Sequence, residues 1–327
     1  MPIPIAHETW FVPDYERFGL DWDFAGQQAT LALLGAAVAV TVAVRVLARW
    51  VDGVDVPFLA RLTPWMPFAM RIHLAVSLVG LLSLGYYLSP AMELHGDLAG
   101  VLLGAVMVVV AFGMVTGWHA RAAAALLVLA GPIGMLEFGF SAVIQRVDML
   151  GPALFVLVAG PGRWSADYER GAEREPDEAA LGRGVWFLRV AVGVALIVVA
   201  FAEKLANPEL ALAFLDQQPH FNVAGEIGLG MTDLQFVRLA GACELLFGLL
   251  LISGALPQAV VLAAGIPFNA TLYFLGDVEL MGHLPIYGTM LVLLVLGSDR
   301  RLRPLVSTLV PRSPRAPPAV QRAPARA

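Results

Sequence analysis

The chain has 327 residues, 58% of them hydrophobic and only 14% charged, with a formal net charge of −5. A soluble domain carries roughly a quarter charged residues, so the composition excludes an ordinary soluble globular protein, and nothing in it resembles a nucleic-acid-binding surface. The single cysteine, Cys243, excludes an intramolecular disulfide, a Cys-x-x-Cys relay and a cysteine-ligated iron–sulfur cluster, and reads as a small core residue.

From the N-terminus, the first 25 residues are acidic and aromatic, and no basic region precedes the first apolar block, so no cleavable signal peptide is expected. The segment Glu8–Trp22 is expected to lie on the outer membrane surface. Apolar blocks of about 18–20 residues cover the hydrocarbon core of a bilayer. The pattern predicts nine such spans, at residues 27–48, 70–89, 97–116, 120–139, 146–161, 184–204, 235–254, 257–275 and 284–298. Residues 51–69 are expected on the inner surface. Residues 162–183 mix both charges with Gly and Pro and read as a cytoplasmic linker. Residues 302–327, rich in Pro, Arg and Ala, are expected to be disordered.

Nine spans place the termini on opposite sides. Of the 21 Lys and Arg residues, only Arg17, Arg146, Lys204 and Arg238 fall at the outer side if the N-terminus is outside. Positive residues stay cytoplasmic, so the expected location is the cytoplasmic membrane, with the N-terminus outside and the C-terminus inside. Trp50, Trp65, Trp118, Trp164 and Trp186 then form an inner aromatic belt.

An internal repeat runs through the chain. Arg71 is followed by an apolar helix and Ser89-Pro90, and Arg189 at the same spacing by Asn207-Pro208. Residues 117–163 lie over 254–300 without a gap, matching Gly117/Gly254, Gly139/Gly276, Gly151/Gly288, Gly160/Gly297 and Arg163/Arg300, with Arg146 set against His283. The expected fold class is therefore all-α: a polytopic membrane protein of about nine helices, with two tandem four-helix bundle repeats and one extra N-terminal helix. The expected units are 1–69 (outer segment, first helix and inner segment), 70–163 (first repeat), 164–183 (linker), 184–300 (second repeat) and 301–327 (basic tail). Glycine pairs such as Gly100/Gly104 and Gly241/Gly248 would allow close helix packing.

A charge inside a span needs a partner or a polar cavity. The second repeat supplies Glu203 and Lys204 at the end of helix 184–204, Glu244 halfway along helix 235–254, and His283, Tyr287 and Asn269 from the last two spans. The first repeat sets Gly85 and Tyr86 against Glu203 and Lys204, and Leu103 against Glu244, so a single site is expected in the second repeat. Glu137, Arg146 and Asp148 read as a separate interhelical ion-pair cluster, with His95 in a loop. Pairing of Glu244 with Lys204 or Arg238 would also fix helix register without any chemistry. His73 and His119 lie near inner helix ends, neither deep in its span, so haem has little support. No metal cluster, nucleotide loop or nucleophile elbow is found.

The run FLRVAVGVALIVVAFAEKLANP, with an arginine opening the helix and Glu-Lys near its end, is followed by RLAGACELLFGLLLISG and by a final helix after HLPIYG. This second half resembles the DoxX/DoxD family of four-helix membrane proteins, well over residues 184–300 and more faintly over 70–163. The resemblance implies redox association at the membrane: DoxD relatives are subunits of a thiosulfate:quinone oxidoreductase, and others are linked to terminal oxidases or oxidative-stress complexes. It marks Arg189, Glu203, Lys204 and Glu244, and implies a quinone as cofactor and a redox protein as partner. The chain departs from the family in its fused first copy and its extra first helix.

The leading expectation is a DoxX-like membrane subunit of quinone-linked redox chemistry at the outer face. In an enzymatic version the catalytic residues are Glu244, Lys204 and Glu203, with Arg189, His283, Tyr287 and Asn269 binding substrate. Glu244 would relay a proton, Lys204 would hold an anionic group, and His283 or Tyr287 would bond a quinone oxygen. The rivals are a non-catalytic membrane anchor or assembly partner, and a small-solute or ion transporter.

Overall fold

A computed structural model describes residues 7–51 and 53–311, and these are all-helical apart from one isolated bridge between Tyr86 and Glu93. The main helices are α1 (Gln28–Leu47), α2 (Met66–Ser83), α3 (Leu98–Thr116), α4 (Ala120–Ile144), α5 (Leu150–Ala159), α6 (Glu178–Val199), α7 (Pro208–Gln217), α8 (Asp233–Ser253) and α9 (Pro257–Gly297). Among the described residues, seven helices are long and apolar enough to cross a membrane. Their outward faces are apolar too: Val101, Leu102, Val108, Val109, Phe112 and Val115 of α3 are all exposed, as are Leu31, Val38 and Val42 of α1. A soluble protein does not leave such continuous apolar surface in water, so these faces are built for lipid.

The 41-residue α9 would extend about 60 Å if straight, twice the hydrocarbon thickness. Gly276 breaks it, with φ 68° and ψ −143°, a conformation that a side chain would forbid. The two halves then run back to back. Tyr287 Oη donates to Phe268 O at 2.9 Å, and Gln258 Nε2 at one end donates to Ser298 Oγ at the other at 2.9 Å. Val147–Ala159 is an apolar helix too short to meet the length of a full span.

Several boundaries differ from the sequence reading. Helix α6 starts at Glu178 rather than 184 because Asp177 caps it, accepting from Ala180 N. The charged stretch read as linker therefore includes the helix's first turn. Helix α2 ends at Ser83, where Gly85 (φ 83°) turns the chain. The last half-helix starts directly after Gly276 instead of at 284, because Pro285 is tolerated inside it. Residues 302–311, expected in the disordered tail, fold back: Leu302 and Val306 are buried and Arg303–Val306 forms a helical turn. The remainder of that tail, 312–327, lies outside the described residues.

Two large cores fill most of the interior. One gathers Leu74, Leu78, Met107, Met114, Leu127 and Val156 from α2 to α5. The other gathers Leu188, Val192, Phe268, Val292 and Leu296 from α6 and α9 with Met70 of α2. Helices α6 and α8 meet at Gly193 and Gly248, where an added Cβ on either would sit 2.6 Å from the other's carbonyl oxygen. Only glycine allows that approach.

The ends of the bundle differ. One, the linker face, carries residues 49–62, 160–177 and 298–311. There the fully buried Arg71 donates to the carbonyls of Met114, Val115, Pro161 and Trp164. Arg189, also fully buried, donates to those of Leu251, Ile252 and Thr308. Each guanidinium satisfies carbonyls that the end of α3 or α8 leaves without helical partners. The opposite end carries the N-terminal segment and is the site face.

Candidate functional site

Helix α6 does not continue as an α-helix to its end. Residues Ala200–Leu205 form a π-helical turn, a feature that accommodates one extra residue and recurs at functional sites. Covered by α7, α8 and the N-terminal segment, this turn buries two adjacent charged side chains, Glu203 and Lys204.

Lys204 Nζ lies 2.8 Å from Glu8 Oε2 and 3.0 Å from Glu244 Oε1. Glu203 receives Glu8 N at 2.7 Å and Thr9 Oγ1 at 2.6 Å, with His7 Nδ1 3.5 Å away. The Glu244 contact is an ion pair rather than an aligned hydrogen bond, since both its oxygens lack a hydrogen-bond partner among the described residues. Arg238 is not the partner of Glu244: its guanidinium reaches Gln27 Oε1 and lies over the Phe24 ring. The expected pairing with Lys204 is thus present, but it is not a simple pair. Two carboxyls, Glu8 and Glu244, flank the ammonium, and the Glu203 carboxyl lies beside them on the backbone and side chains of His7–Thr9.

A second group adjoins the first. Arg146 lies 3.4 Å from Asp148, donates to Gly282 O at 2.9 Å and sits over the Trp10 ring. His283 Nδ1 lies 3.2 Å from Glu279 Oε1. Trp10 stacks on His7 with ring centroids 4.1 Å apart, and His283 packs against both rings and Phe268. Between the two groups is a small cavity bounded by His7, Asp148, Glu244 and His283 on its polar side, and by Leu196, Phe268 and Ile286 on its apolar side. It has about 10 Å³ open to the centre of a water molecule, enough for one.

The N-terminal segment is therefore not a surface helix at its start. Glu8, Thr9 and Val12 are buried, and the chain is anchored by Asp21 N on Ala206 O at 2.7 Å. Val12 packs into an aromatic cluster with Phe214, Phe221 and Phe236. Burial excludes charge from His7, and the neighbouring His283 and Arg146 repel its proton, so its pKa falls well below the usual histidine value. Burial acts oppositely on Glu8: desolvation and the nearby Glu203 carry its pKa well above the carboxylate range, against the pull of Lys204.

His7 gives a signed pH dependence. Unfolded, it takes up a proton below its ordinary pKa of 6.5; folded, it resists. The stability this neutral histidine leaves intact at high pH is lost as pH falls through 6.5 towards its lowered folded value. Thermal unfolding of wild type and His7→Gln, compared from about pH 8 to about pH 5, should show the wild type losing ground to the variant on acidification. A constant difference would mean that His7 does not titrate between the two states.

Of the residues selected from sequence, Glu203, Lys204, Glu244 and His283 come together. Tyr287 is a neighbour through Phe268. Asn269 is exposed and bonds back to Gly265 O in its own helix. Arg189 is at the opposite face, capping α8. Glu137 is exposed, while Arg146 and Asp148 belong to this same cluster instead of forming a separate one. His73 bonds Ala69 O of its own helix, and His119 packs on Trp118 at the linker face. Among the described residues no group of three His, Cys, Asp or Glu could hold a metal ion.

Sequence reasoning missed His7, Glu8, Thr9, Trp10 and Glu279. A signal existed for the last: Glu279 and His283 are spaced i, i+4, on one face of a helix, once the helix is started at the Gly276 break. The packing of Trp10 against Gly282 is equally specific, since a Cβ there would overlap the indole. Gly282→Leu should displace Trp10 and free the N-terminal segment, read as new protease cleavage before residue 20 in the otherwise folded protein. Unchanged protection would show that the segment is held without the indole.

Compared with protein-family models, curated proteins and solved structures, the chain gives no match.

Proposed function

We propose that this protein is a DoxX-like membrane subunit of quinone-linked redox chemistry, in which the buried cluster around Lys204 and Glu244 handles protons at the outer face. The observation that carries this reading is the cluster's composition: Glu8, Glu203, Glu244, Glu279 and Asp148 are buried with only Lys204 and Arg146 as permanent cations among the described residues. Such a set is costly unless protons are bound. A quinol oxidised at this face releases protons along with its electrons; Glu244 takes up a proton, and a redox protein partner takes the electrons. The one-water cavity does not hold a quinone ring, so the ring binds outside it and only the proton enters.

The proposed architecture is nine crossings, built from tandem four-helix repeats at 70–163 and 184–300 behind an extra first helix. Supporting it, positions 137 apart share unusual backbones: Gly117 and Gly254 (φ 66° and 68°), His119 and Leu256 (47° and 44°), Gly139 and Gly276 (79° and 68°). Arg71 caps Met114 and Val115, and Arg189 caps the residues that lie over them in this register, Leu251 and Ile252. In that register Met107, not Leu103, stands where the second copy has Glu244. The proposed location is the cytoplasmic membrane, with the N-terminus outside.

A transporter fits less well. Beyond Leu196 and Phe268 the cluster rests, among the described residues, on an apolar core extending towards the linker face, which disfavours passage of an ion.

The test is purification from native membranes in mild detergent, with bound lipids and proteins identified. Stoichiometric quinone, or a soluble partner that quinol reduces, is the expected result. A protein that emerges alone and without quinone overturns the reading.

A further inference from the structure

We infer that the cavity between His7, Asp148, Glu244 and His283 is a proton store, in which one bound water shares an excess proton between the Asp148 and Glu244 carboxyls. The inference rests on the proposed reading only in assigning proton chemistry to this cluster, and it needs neither a quinone nor a partner.

The geometry supports a shared proton. Asp148 and Glu244 come from different elements, the turn before α5 and the middle of α8. Both are buried; Glu244 Oε1 is in ion-pair contact with Lys204 and Asp148 Oδ2 with Arg146, and none of the four carboxylate oxygens has an aligned hydrogen-bond partner among the described residues. Nor does His283 Nδ1. Buried polar atoms are normally satisfied, and here they border a space of one water. A water with two to four polar neighbours is a stable occupant, and a proton on it, or on either carboxyl, satisfies both acceptors at once.

The charges point to a proton rather than to a neutral water alone. The cavity faces His7 from the N-terminal segment. From α8 and α9 it faces Glu244 and His283, and from the 146–148 turn Asp148; one contact further out, Lys204 and through it Glu8 pair with Glu244, Glu203 with His7, Glu279 with His283 and Arg146 with Asp148. The five buried carboxyls, Glu8, Glu203, Glu244, Glu279 and Asp148, outnumber the permanent cations Lys204 and Arg146. Deeply buried negative charge without compensation binds protons. Loading forms an O–H bond at a carboxylate oxygen or on the water, using a proton from bulk solvent, and release returns it; no oxidant or other reactant is required.

Access also follows from the fold. The cover over the cavity on the site face is the His7–Trp10 stretch, held by polar contacts of Glu8, Thr9 and His7 with Glu203 and Lys204. The proton therefore enters beneath the N-terminal segment.

The experiment is infrared difference spectroscopy of the full-length protein in lipid nanodiscs, between neutral and alkaline buffer, in H₂O and in D₂O. The wild type, which needs no variant to be informative, should show a carboxylic-acid C=O band at neutral pH that disappears at alkaline pH and shifts in D₂O. Glu244→Gln and Asp148→Asn should each remove or displace that band. Absence of the band in wild type, or its persistence unchanged in both variants, overturns the inference. So does a response at fixed pH to sodium, potassium or ammonium, which would make the occupant a cation other than a proton. A native preparation lacking quinone and partner would sink the redox reading while leaving this spectrum unaffected.

Discussion

Lys204→Met is expected to destabilise the protein by about 3–5 kcal/mol, the cost of removing one partner from a buried ion pair. The ammonium lies between Glu8 and Glu244, with Glu203 one residue away in the π-turn. Methionine matches its length but leaves those carboxyls without their nearest cation. Two features separate this from ordinary loss of packing. Protonating a carboxyl relieves the uncompensated charge, so the deficit should shrink as pH falls. Adding Glu244→Gln to Lys204→Met should recover part of the loss, because the pair is then removed as a unit. Unfolding in mild detergent, followed across pH for the single and double variants, measures both. A small, pH-independent loss would show that the cluster does not depend on the lysine charge.

The second large effect is expected at the opposite face. Arg71→Met removes the guanidinium from the Met114 and Val115 carbonyls at one helix end, and Arg189→Met removes it from those of Leu251 and Ile252 at another and from Thr308 O in the C-terminal segment. An unsatisfied buried carbonyl costs about 1–3 kcal/mol, so either variant should lose several kcal/mol, or fail to accumulate. Arg189→Met should also release residues 302–311 from the bundle, since Thr308 is held by that guanidinium. Cleavage within this stretch, with Arg71→Met leaving it protected, is the expected pattern. If Arg189 instead bound a substrate group, the variant would unfold like wild type and lose only function.

The sequence carried the membrane character, the helical class and much of the site, for a physical reason. Long apolar blocks have no alternative to helix in lipid, and charges inside them are too costly to be incidental. That logic singled out Glu203, Lys204 and Glu244, which the structure brings together in one buried cluster. It failed for Glu8 and His7 because they sit in a short polar segment whose burial depends on tertiary contacts with Glu203, Lys204 and Trp10. It separated Arg146 and Asp148 from His283 because their meeting joins parts of the chain more than a hundred residues apart. The π-turn was equally illegible: AFAEKL has no composition that distinguishes it from α-helix. Arg189 was marked by resemblance alone, and its helix-capping contacts are visible only once α8 and the C-terminal turn are packed against α6.

The most direct measurement is quinol-dependent turnover in native-membrane preparations of wild type and Glu244→Gln, with thermal unfolding recorded on the same samples. The isosteric amide keeps the shape of the site and leaves Lys204 paired with Glu8, but it cannot accept the proton. The account predicts a loss of about 100-fold or more in turnover, the usual worth of a general base, with unfolding little changed. Turnover retained in Glu244→Gln would contradict it, leaving the carboxylate as a structural partner of Lys204.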